Sequence, residues 1–500
     1  MRALSKSKIL AFRQCAKRLW LEIHCPELRE DSIETEAKFE VGHKIGEIAR
    51  KLFDPAGKGI LIDLQKDGFE AAFARSMQLL TSSHPVFEAG FSSEGALAFA
   101  DIMLPAHKAG RRGWRMIEVK SSTSVKEYHH DDIAIQAFVA RSAGVPLASV
   151  ALAHIDSAWV YPGGEKYQGL LKEKDLTDEA FGRSKEVKGW IADAQTTARK
   201  HIEPAIKTGA HCTTPYSCGF LDYCHGQEPQ AKFPVAWLPR IQAKGLKSLI
   251  NDEGVNDLRK IPDELLNERQ RRVKIHTLSG KPYFDADGAA ASLDGHSLPA
   301  YFMDFETIQF AIPIWKNTRP YQQIPFQFSV HRLSPAAKVE HLSFLDLSGD
   351  DPSSHFAEAL INACGKRGPI FVYNAGFETA RINELAKCFQ RLKQPLLAIN
   401  ARVVDLLKVA EQNYYHPSQE GSWSLKKILP AIAPDLSYDT LVGVQDGGMA
   451  MNAYLEAISH VTAETRKEEI GEQLLAYCKL DTTALLRLWQ FFTGRQSRIV

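Results

Sequence analysis

The chain has 500 residues, 44% of them hydrophobic and 24% charged, and this is longer than one hydrophobic core usually organises. Its 61 Lys and Arg residues balance 60 Asp and Glu residues, so the net charge of +1 excludes a protein that binds polyanions through its overall charge. A basic N-terminus and the lack of a long apolar run exclude a secretory signal and a membrane span, and we expect a cytoplasmic protein.

The N-terminal half combines helical and extended patterns in an order typical of a mixed sheet with helices on its faces. Helical patterns cover residues 4–20, 35–52 and 128–143, and a long polar helix is predicted over 178–207. Short apolar segments predict the strands, which are residues 59–63, 85–91, 96–104, 114–121 and 149–154.

The C-terminal half predicts a second α/β domain after a connector. Residues 229–298 hold short helical pieces, Pro262 and a basic patch, and we interpret them as a helical connector. The basic patch consists of Arg269, Arg271, Arg272 and Lys274. Strands are predicted at 301–307, 326–330, 339–345 and 370–373, with a final helix over 470–492. The sequence therefore predicts an α/β chain with two domains, 1–228 and 299–500.

Two acids and a lysine are predicted to meet at the edge of the first sheet. Glu118 and Lys120 point to the same face of their strand, and Asp101 ends the preceding strand. Such carboxylates can hold a divalent ion that polarises phosphate and activates water, while a lysine steadies developing negative charge. An isolated Glu-x-Lys pair is usually a surface ion pair, but Gln136 on the following helix extends the pattern.

This arrangement resembles the PD-(D/E)XK nuclease superfamily, in particular its RecB-like branch, which has a restriction-endonuclease-like mixed sheet. The resemblance implies that Asp101 and Glu118 are ligands of Mg²⁺ or Mn²⁺. It also implies that Lys120 is catalytic and that Gln136 is the glutamine of the downstream helix motif.

Two positions depart from the RecB-like pattern. Gly46 stands where that branch usually has a metal-binding histidine, although His43 is close in sequence. Ala140 replaces the tyrosine that usually follows the motif glutamine. These departures leave open an adaptor whose nuclease centre is degenerate.

Eight cysteines are too few for a disulfide framework in a chain of this length, but three of them share a loop-rich segment. They form a C-x5-C-x5-C pattern and are Cys212, Cys218 and Cys224. Three thiolates need a fourth ligand, and some RecB-like members close a 4Fe-4S cluster with an N-terminal cysteine. That resemblance implies Cys15 as the fourth ligand. Zinc and no metal at all are the alternatives, with Cys25 and His211 as spare ligands.

A second set of acids comes from three distant segments of the C-terminal half. Asp304 and Glu306 share one face of a strand whose other face is apolar, which is costly unless the acids are solvated or bind metal. Tyr477 and Asp481 lie one turn apart on the last helix. Between these segments, Glu378 lies where a strand passes into a helix.

These three motifs resemble those of the DnaQ-like DEDD exonucleases that carry a tyrosine in the last motif, a family with an RNase H-like fold. The resemblance implies that two divalent ions are bound by four acids, which are Asp304, Glu306, Glu378 and Asp481. It further implies that Tyr477 orients the attacking water. The family usually has aspartate in its second motif, where this chain has Glu378.

The two resemblances together predict a metal-dependent nuclease with two active sites. We expect a hydrolase that cleaves phosphodiester bonds of nucleic acid, DNA rather than RNA, in repair or defence. An adaptor that only binds nucleic acid and an RNA-processing exonuclease are the alternatives. No P-loop motif is present in the sequence, so a helicase would have to be a separate partner.

Overall fold

The chain folds into two compact units, each with its own sheet and hydrophobic core. The structure is a computed structural model that describes residues 3–31, 33–108 and 110–495, with the side chains of 33–39 and 108 left out. The first unit comprises Met1–Pro229 and Phe310–Gln322, and the second comprises Gln230–Gln309 and Gln323–Val500. Sheets and helices occur in both units, which confirms the predicted α/β class.

The first unit alternates helices with a seven-stranded mixed sheet. Its helices are α1 (Lys6–Gln14), α2 (Ala16–His24), α3 (Ile33–Phe53), α4 (Leu64–Asp67), α5 (Phe69–Leu79), α6 (Glu127–Ser142), α7 (Thr177–Gly182), α8 (Ser184–Ala198) and α9 (Leu221–Gly226). Its strands are β1 (Leu4–Ser5), β2 (Ile60–Leu61), β3 (Val86–Ser93), β4 (Ala96–Lys108), β5 (Arg111–Lys120), β6 (Leu147–Ile155) and β7 (Leu171–Asp175).

The strand order of this sheet is β2-β3-β4-β5-β6-β7, and β1 pairs with β4 beside this path. Strands β3, β4 and β5 form an antiparallel meander, whereas β5 and β6 run parallel. A parallel pair needs a crossover connection, and α6 provides it. This helix is buried along Ile133, Ala134 and Ala137 against the core of the sheet. The strands that carry Asp101, Glu118 and Lys120 are therefore neighbours.

Two helices differ from their predictions. The helix predicted over 4–20 begins with β1 and is interrupted at Cys15, whose backbone is extended (φ −161°, ψ 124°). The prediction of a single helix over 178–207 was wrong. The structure has two helices there, because α7 ends at Gly182 and α8 runs from Ser184 to Ala198. Carbonyls at the end of α8 accept side-chain hydrogen bonds from α2 instead of continuing the helix. Trp20 Nε1 donates to the Lys200 carbonyl at 2.8 Å, and His24 Nε2 donates to that of Ala198 at 3.0 Å.

The second unit contains a five-stranded sheet, a two-stranded sheet and ten helices among the residues described. Its strands are β8 (Tyr283–Phe284), β9 (Ala300–Ile308), β10 (Ile324–Leu333), β11 (Val339–Leu345), β12 (Ile370–Val372), β13 (Val403–Asp405) and β14 (Tyr414–Tyr415). Its helices are α10 (Lys244–Asn251), α11 (Glu268–Ser279), α12 (Ala286–Leu293), α13 (Ser353–Cys364), α14 (Gly376–Cys388), α15 (Lys393–Asn400), α16 (Leu406–Asn413), α17 (Leu425–Ile432), α18 (Gly447–Ala457) and α19 (Glu464–Thr493).

The strand order of the larger sheet is β11-β10-β9-β12-β13. Strands β11, β10 and β9 pair antiparallel, and β9, β12 and β13 pair parallel. The central strand β9 is buried on both faces, as expected for a strand covered by helices on each side. Met303 and Phe305 pack with Phe356 of α13, while Phe302 on the opposite face packs with Trp489 of α19. Strand β9 thus presents Asp304 and Glu306 to the α19 side.

The segment 229–298 was predicted as a helical connector, but from Gln230 onward it belongs to the second unit and contributes to its core. Val235, Leu246, Val273 and Leu293 share one hydrophobic cluster with Phe302 of β9. The basic patch makes several contacts within the protein. Arg269 forms an ion pair with Glu411, and Lys274 forms one with Asp263 and also donates to a carbonyl. Arg272 lies over the Tyr283 ring and donates to a carbonyl, and Arg271 donates to two carbonyls. These contacts stabilise the second unit, while Arg271 remains exposed.

Among the helices that the described ranges contain, none is both long and apolar enough to cross a membrane.

Candidate active sites

The first candidate site lies where β4, β5 and α6 meet. Glu118 is the centre of its hydrogen-bond network, with a side chain only 3% exposed. Lys120 Nζ donates to Glu118 Oε1 at 2.6 Å, and Gln136 Nε2 donates to Glu118 Oε2 at 2.5 Å. The backbone N–H of Val119 donates to Asp101 Oδ2 at 2.6 Å. The structure therefore brings together Asp101, Glu118, Lys120 and Gln136, the four residues that the sequence singled out.

Two residues that the sequence analysis missed complete this network. Lys6 Nζ lies 2.9 Å from Glu118 Oε1 and 2.8 Å from Asp132 Oδ1. Lys120 Nζ lies 2.6 Å from Asp132 Oδ2. Each lysine thus contacts both acids, and we call this set of four ion pairs the charge ring, formed by Lys6, Glu118, Lys120 and Asp132.

The electrostatics of the charge ring favour its ionised form. Burial alone would raise the pKa of Glu118 and of Asp132, but Lys120 and Lys6 outweigh it and lower both pKa values. Burial would likewise lower the pKa of the two lysines, and the acids outweigh it and raise both. The four groups therefore remain charged in a site from which water is largely excluded.

Asp101 has the opposite character. Burial and the negative charge of Glu118 raise its pKa well above the usual value. Glu88 lies across from Asp101 between the paired residues of β3 and β4, and burial together with Glu118 raises its pKa as well. Its φ of +55° is unusual for a residue other than glycine, and such conformations cluster at functional sites. Without a cation nearby, the raised pKa values of Asp101 and Glu88 disfavour their ionised forms. A divalent cation bound between such carboxylates would favour the ionised forms.

The two departures from the RecB-like pattern have clear positions. His43 is exposed on α3, where its charge would lower the pKa of Glu88. Gly46 lies one turn further along α3, beside the side chain of Arg50. Ala140 is fully buried among the core residues of α6, so a larger aromatic side chain would not be accommodated without repacking.

The four predicted cysteines line one small cavity. Cys15 reaches it from the break between α1 and α2, Cys212 and Cys218 from the loop before α9, and Cys224 from α9 itself. Of the spare ligands, His211 also lines the cavity. Cys25 does not, although it packs against the same hydrophobic cluster as Cys218 and Cys224.

The spacing of these sulfur atoms bears on what they can hold. A zinc ion bound by thiolates at about 2.3 Å brings the sulfurs to about 3.8 Å from one another. In the part of the chain that is described, only Asp304, Glu306 and Cys478 form a group of three ligand atoms all within 4.8 Å. Any three of the four cysteine sulfurs therefore include a pair further apart than this limit.

Burial affects the protonation of two of these thiols, Cys218 and Cys224. It raises the pKa of Cys218, and it raises that of Cys224 to about 11, partly offset there by the positive charge of Lys17. Thiols of this kind stay protonated at neutral pH unless a metal binds them. The cavity is thus chemically suited to a metal group that releases protons on binding.

The second candidate site lies between β9 and α19. Polar contacts with β10 fix the position of helix α19. Gln327 Nε2 donates to the Leu474 carbonyl at 2.7 Å, and the Thr482 hydroxyl bonds to Ser329 Oγ at 2.7 Å and His331 Nδ1 at 2.8 Å. Burial lowers the pKa of His331 to about 3, so this ring is neutral at physiological pH. These contacts hold Asp481 in place opposite β9.

Acids from all three predicted motifs act on Asp304 at this site. Burial, followed by the charges of Asp481, Glu306 and Glu378, raises the pKa of Asp304 well above its usual value. Burial and Asp481 raise the pKa of Glu306 to about 8. The structure therefore gathers the acids of all three predicted motifs, although they come from β9, α14 and α19.

The acids from α14 and α19 have distinct surroundings. Burial raises the pKa of Glu378 to about 8, with a further contribution from Asp405. Asp405 itself accepts hydrogen bonds from the backbone N–H groups of Asn374 and Leu407, both at 3.0 Å, and so positions the start of α14. Burial raises the pKa of Asp481 to about 6, and hydrogen bonds from Tyr438 and Tyr477 limit this rise.

Two residues at this site were not singled out from the sequence. Tyr438, which precedes α18, donates its hydroxyl hydrogen bond to Asp481 Oδ1. Cys478 is fully buried, with Sγ 3.9 Å from Asp304 Oδ2. No sequence signal marks Tyr438, because it comes from an irregular segment. Cys478 follows Tyr477 on α19 and reads as an ordinary core residue.

Comparison with known proteins identifies relatives without an assigned activity. Residues 301–424 match a family model described as "Domain of unknown function (DUF2779)". The "Uncharacterized protein MG366 homolog" of Mycoplasma pneumoniae is 25% identical over 209 residues, covering 38% of this chain and 31% of the relative. "Uncharacterized protein MG366" of Mycoplasma genitalium is 27% identical over 210 residues, with the same coverage.

This chain therefore spans about a third of the length of these curated relatives. The family match includes Asp304, Glu306 and Glu378 but ends before Tyr477 and Asp481.

Proposed function

We propose that this protein is a metal-dependent nuclease with two separate phosphodiesterase sites, one in each unit, acting on DNA. The convergence of Asp304, Glu306, Glu378 and Asp481 from three distant segments carries the proposal. Three of these acids raise the pKa of Asp304, and Asp481 also raises that of Glu306. Ionised acids crowded in a buried site are unfavourable by themselves and become favourable when divalent cations bind.

In the second unit, the fold supports an RNase H-like assignment of the DnaQ-like kind. The order β11-β10-β9-β12-β13, antiparallel and then parallel, places the first acid pair on the central strand. Tyr477 lies one turn from Asp481 on α19 and hydrogen-bonds to it. We assign Tyr477 to orienting a water molecule and Asp304, Glu306, Glu378 and Asp481 to holding metal.

In the first unit, the antiparallel meander followed by α6 and the parallel strand β6 supports a PD-(D/E)XK assignment of the RecB-like kind. Asp101 and Glu118 would hold metal, Lys120 would stabilise negative charge, and Gln136 keeps Glu118 in place through its 2.5 Å hydrogen bond. Divalent ions bound at the two sites would supply activated water and stabilise the leaving oxygen.

The cysteine cavity supports a structural 4Fe-4S cluster. Its ligands would join the break between α1 and α2 to the loop before α9. These two segments are far apart in sequence, since Gln14 and His211 are separated by 197 residues. Gln14 Nε2 already donates to the His211 carbonyl at 2.7 Å and to the Tyr216 carbonyl at 2.8 Å. A cluster would hold these same segments together more firmly.

Degradation assays test the proposed function. The purified protein should degrade end-labelled DNA with Mg²⁺ or Mn²⁺, and EDTA should abolish the reaction. Linear, circular, single-stranded and RNA substrates in parallel would identify endonuclease action and any preference for RNA. Binding of nucleic acid without cleavage under all these conditions would contradict the proposal and favour an adaptor.

A further inference from the structure

Lys6 occupies a position that is unfavourable for a lysine. It is the first residue of α1, and no acidic residue lies in the first turn of that helix. The N-terminus of a helix carries partial positive charge, so a cation there is repelled. The compensation comes from Glu118 and Asp132, which Lys6 contacts at 2.9 and 2.8 Å. Glu118 is 112 residues away in sequence, so this contact depends on the tertiary fold.

The charge ring exposes its cations and covers its anions. The side chains of Glu118 and Asp132 are 3% and 6% exposed, whereas those of Lys6 and Lys120 are 20% and 24% exposed. The acids therefore form the floor of the site and the two ammonium groups its accessible surface. An anion that approaches the ring from solvent meets two positive charges before it meets either carboxylate of the ring.

We infer that Lys6 and Lys120 together bind one phosphate group of a nucleic-acid strand at the first site. The inference rests on the proposed function of this site. Asp132 acts as the positioning residue for both lysines, because it contacts each of them from the buried side. Ammonium groups are strong donors to phosphate oxygens, and the low exposure of the site strengthens these contacts.

The test uses the full chain carrying Asp304→Asn and Asp481→Asn, so that only the first site can cleave. Binding of a single-stranded DNA oligonucleotide is measured by fluorescence anisotropy in EDTA at several salt concentrations. Lys6→Met should weaken binding about tenfold and reduce the slope of log affinity against log salt by about 0.7, the contribution of one phosphate contact. Its cleavage rate with Mn²⁺ should fall about 100-fold.

Two further variants separate phosphate binding from a structural role. Lys8→Met removes the same charge from the same helix, at a residue whose Nζ donates to the Glu22 carbonyl at 3.3 Å. It should leave the salt slope and the cleavage rate unchanged. Lys6→Arg keeps the charge and should retain the wild-type slope even where its folding stability falls.

The inference would be overturned if Lys6→Met kept the wild-type slope of log affinity against log salt and the wild-type cleavage rate, while Lys120→Ala abolished cleavage. If Lys120→Ala also leaves cleavage intact, the proposed function of the first site fails instead. Inorganic phosphate that displaces the oligonucleotide at equal concentrations of phosphate groups would overturn the assignment to a nucleic-acid strand.

Discussion

Glu306→Gln should stabilise the metal-free protein at neutral pH. The side chain is 7% exposed and lies beside Asp304 and Asp481. Burial, followed by the charges of Asp481 and Asp446, raises its pKa from 4.5 to about 8. The folded state therefore holds a proton that the unfolded state has lost, and stability decreases as the pH rises from about 4.5 through 8. Glutamine keeps the shape of the side chain and removes this titration.

The expected size of the effect follows from the pKa shift. One pKa unit corresponds to about 1.4 kcal/mol. At pH 7 the wild type should therefore be about 3 kcal/mol less stable than Glu306→Gln, and at pH 5.5 only about 1 kcal/mol less stable. Saturating Mn²⁺ should reverse the order, because a bound ion stabilises the folded wild type but binds the variant poorly.

Urea unfolding followed by circular dichroism, in EDTA at both pH values, measures these free energies. Glu358→Gln is the matched control, since Glu358 is exposed on α13 and surface substitutions usually change stability by less than about 0.5 kcal/mol. A difference between wild type and Glu306→Gln that is the same at both pH values would refute the reasoning. So would a variant that is less stable at pH 7 without metal.

Three further predictions concern individual groups. Protein purified without oxygen should be brown with broad visible absorption, and Cys15→Ala should lose this colour; colourless protein with stoichiometric zinc would contradict the cluster. Tyr477→Phe should slow cleavage at the second site while calorimetry shows unchanged Mn²⁺ affinity, and a loss of Mn²⁺ binding would argue against its role with water. Tyr438→Phe removes a hydrogen bond that lowers the pKa of Asp481, which is about 6, so the acidic limb of the second site's pH–rate profile should move to higher pH. An unshifted limb would show that this contact does not tune the acid.

Much of the fold follows from local pattern. The helix predicted over 128–143 is Glu127–Ser142 in the structure, and the strand predicted over 301–307 is Ala300–Ile308. Strand β7 was not predicted, because four of its five residues are exposed and give no apolar alternation. The inclusion of Phe310–Gln322 in the first unit was also not predicted. It depends on tertiary contacts such as the 2.6 Å hydrogen bond from the Tyr321 hydroxyl to the Ser121 carbonyl.

The residues of the candidate sites likewise fall into those that local spacing predicts and those that only tertiary contacts bring in. Spacing within one strand or helix predicted the pairs Glu118 with Lys120 and Tyr477 with Asp481, because side-chain direction follows from local geometry. Lys6 and Tyr438 join the sites through tertiary contacts and have no such signal. Asp132 was within reach of sequence reasoning, since it lies one helical turn before Gln136 on α6 and shares its face.

The central claim is that the two sites act separately, and one cleavage experiment tests it most directly. Wild type, Lys120→Ala, Asp481→Asn and the double variant are compared on the same end-labelled DNA with Mn²⁺. Each single variant should lose one set of products and keep the other, and the double variant should cleave nothing. A double variant that cleaves at the wild-type rate, or a single variant that loses every product, would contradict two separate active sites.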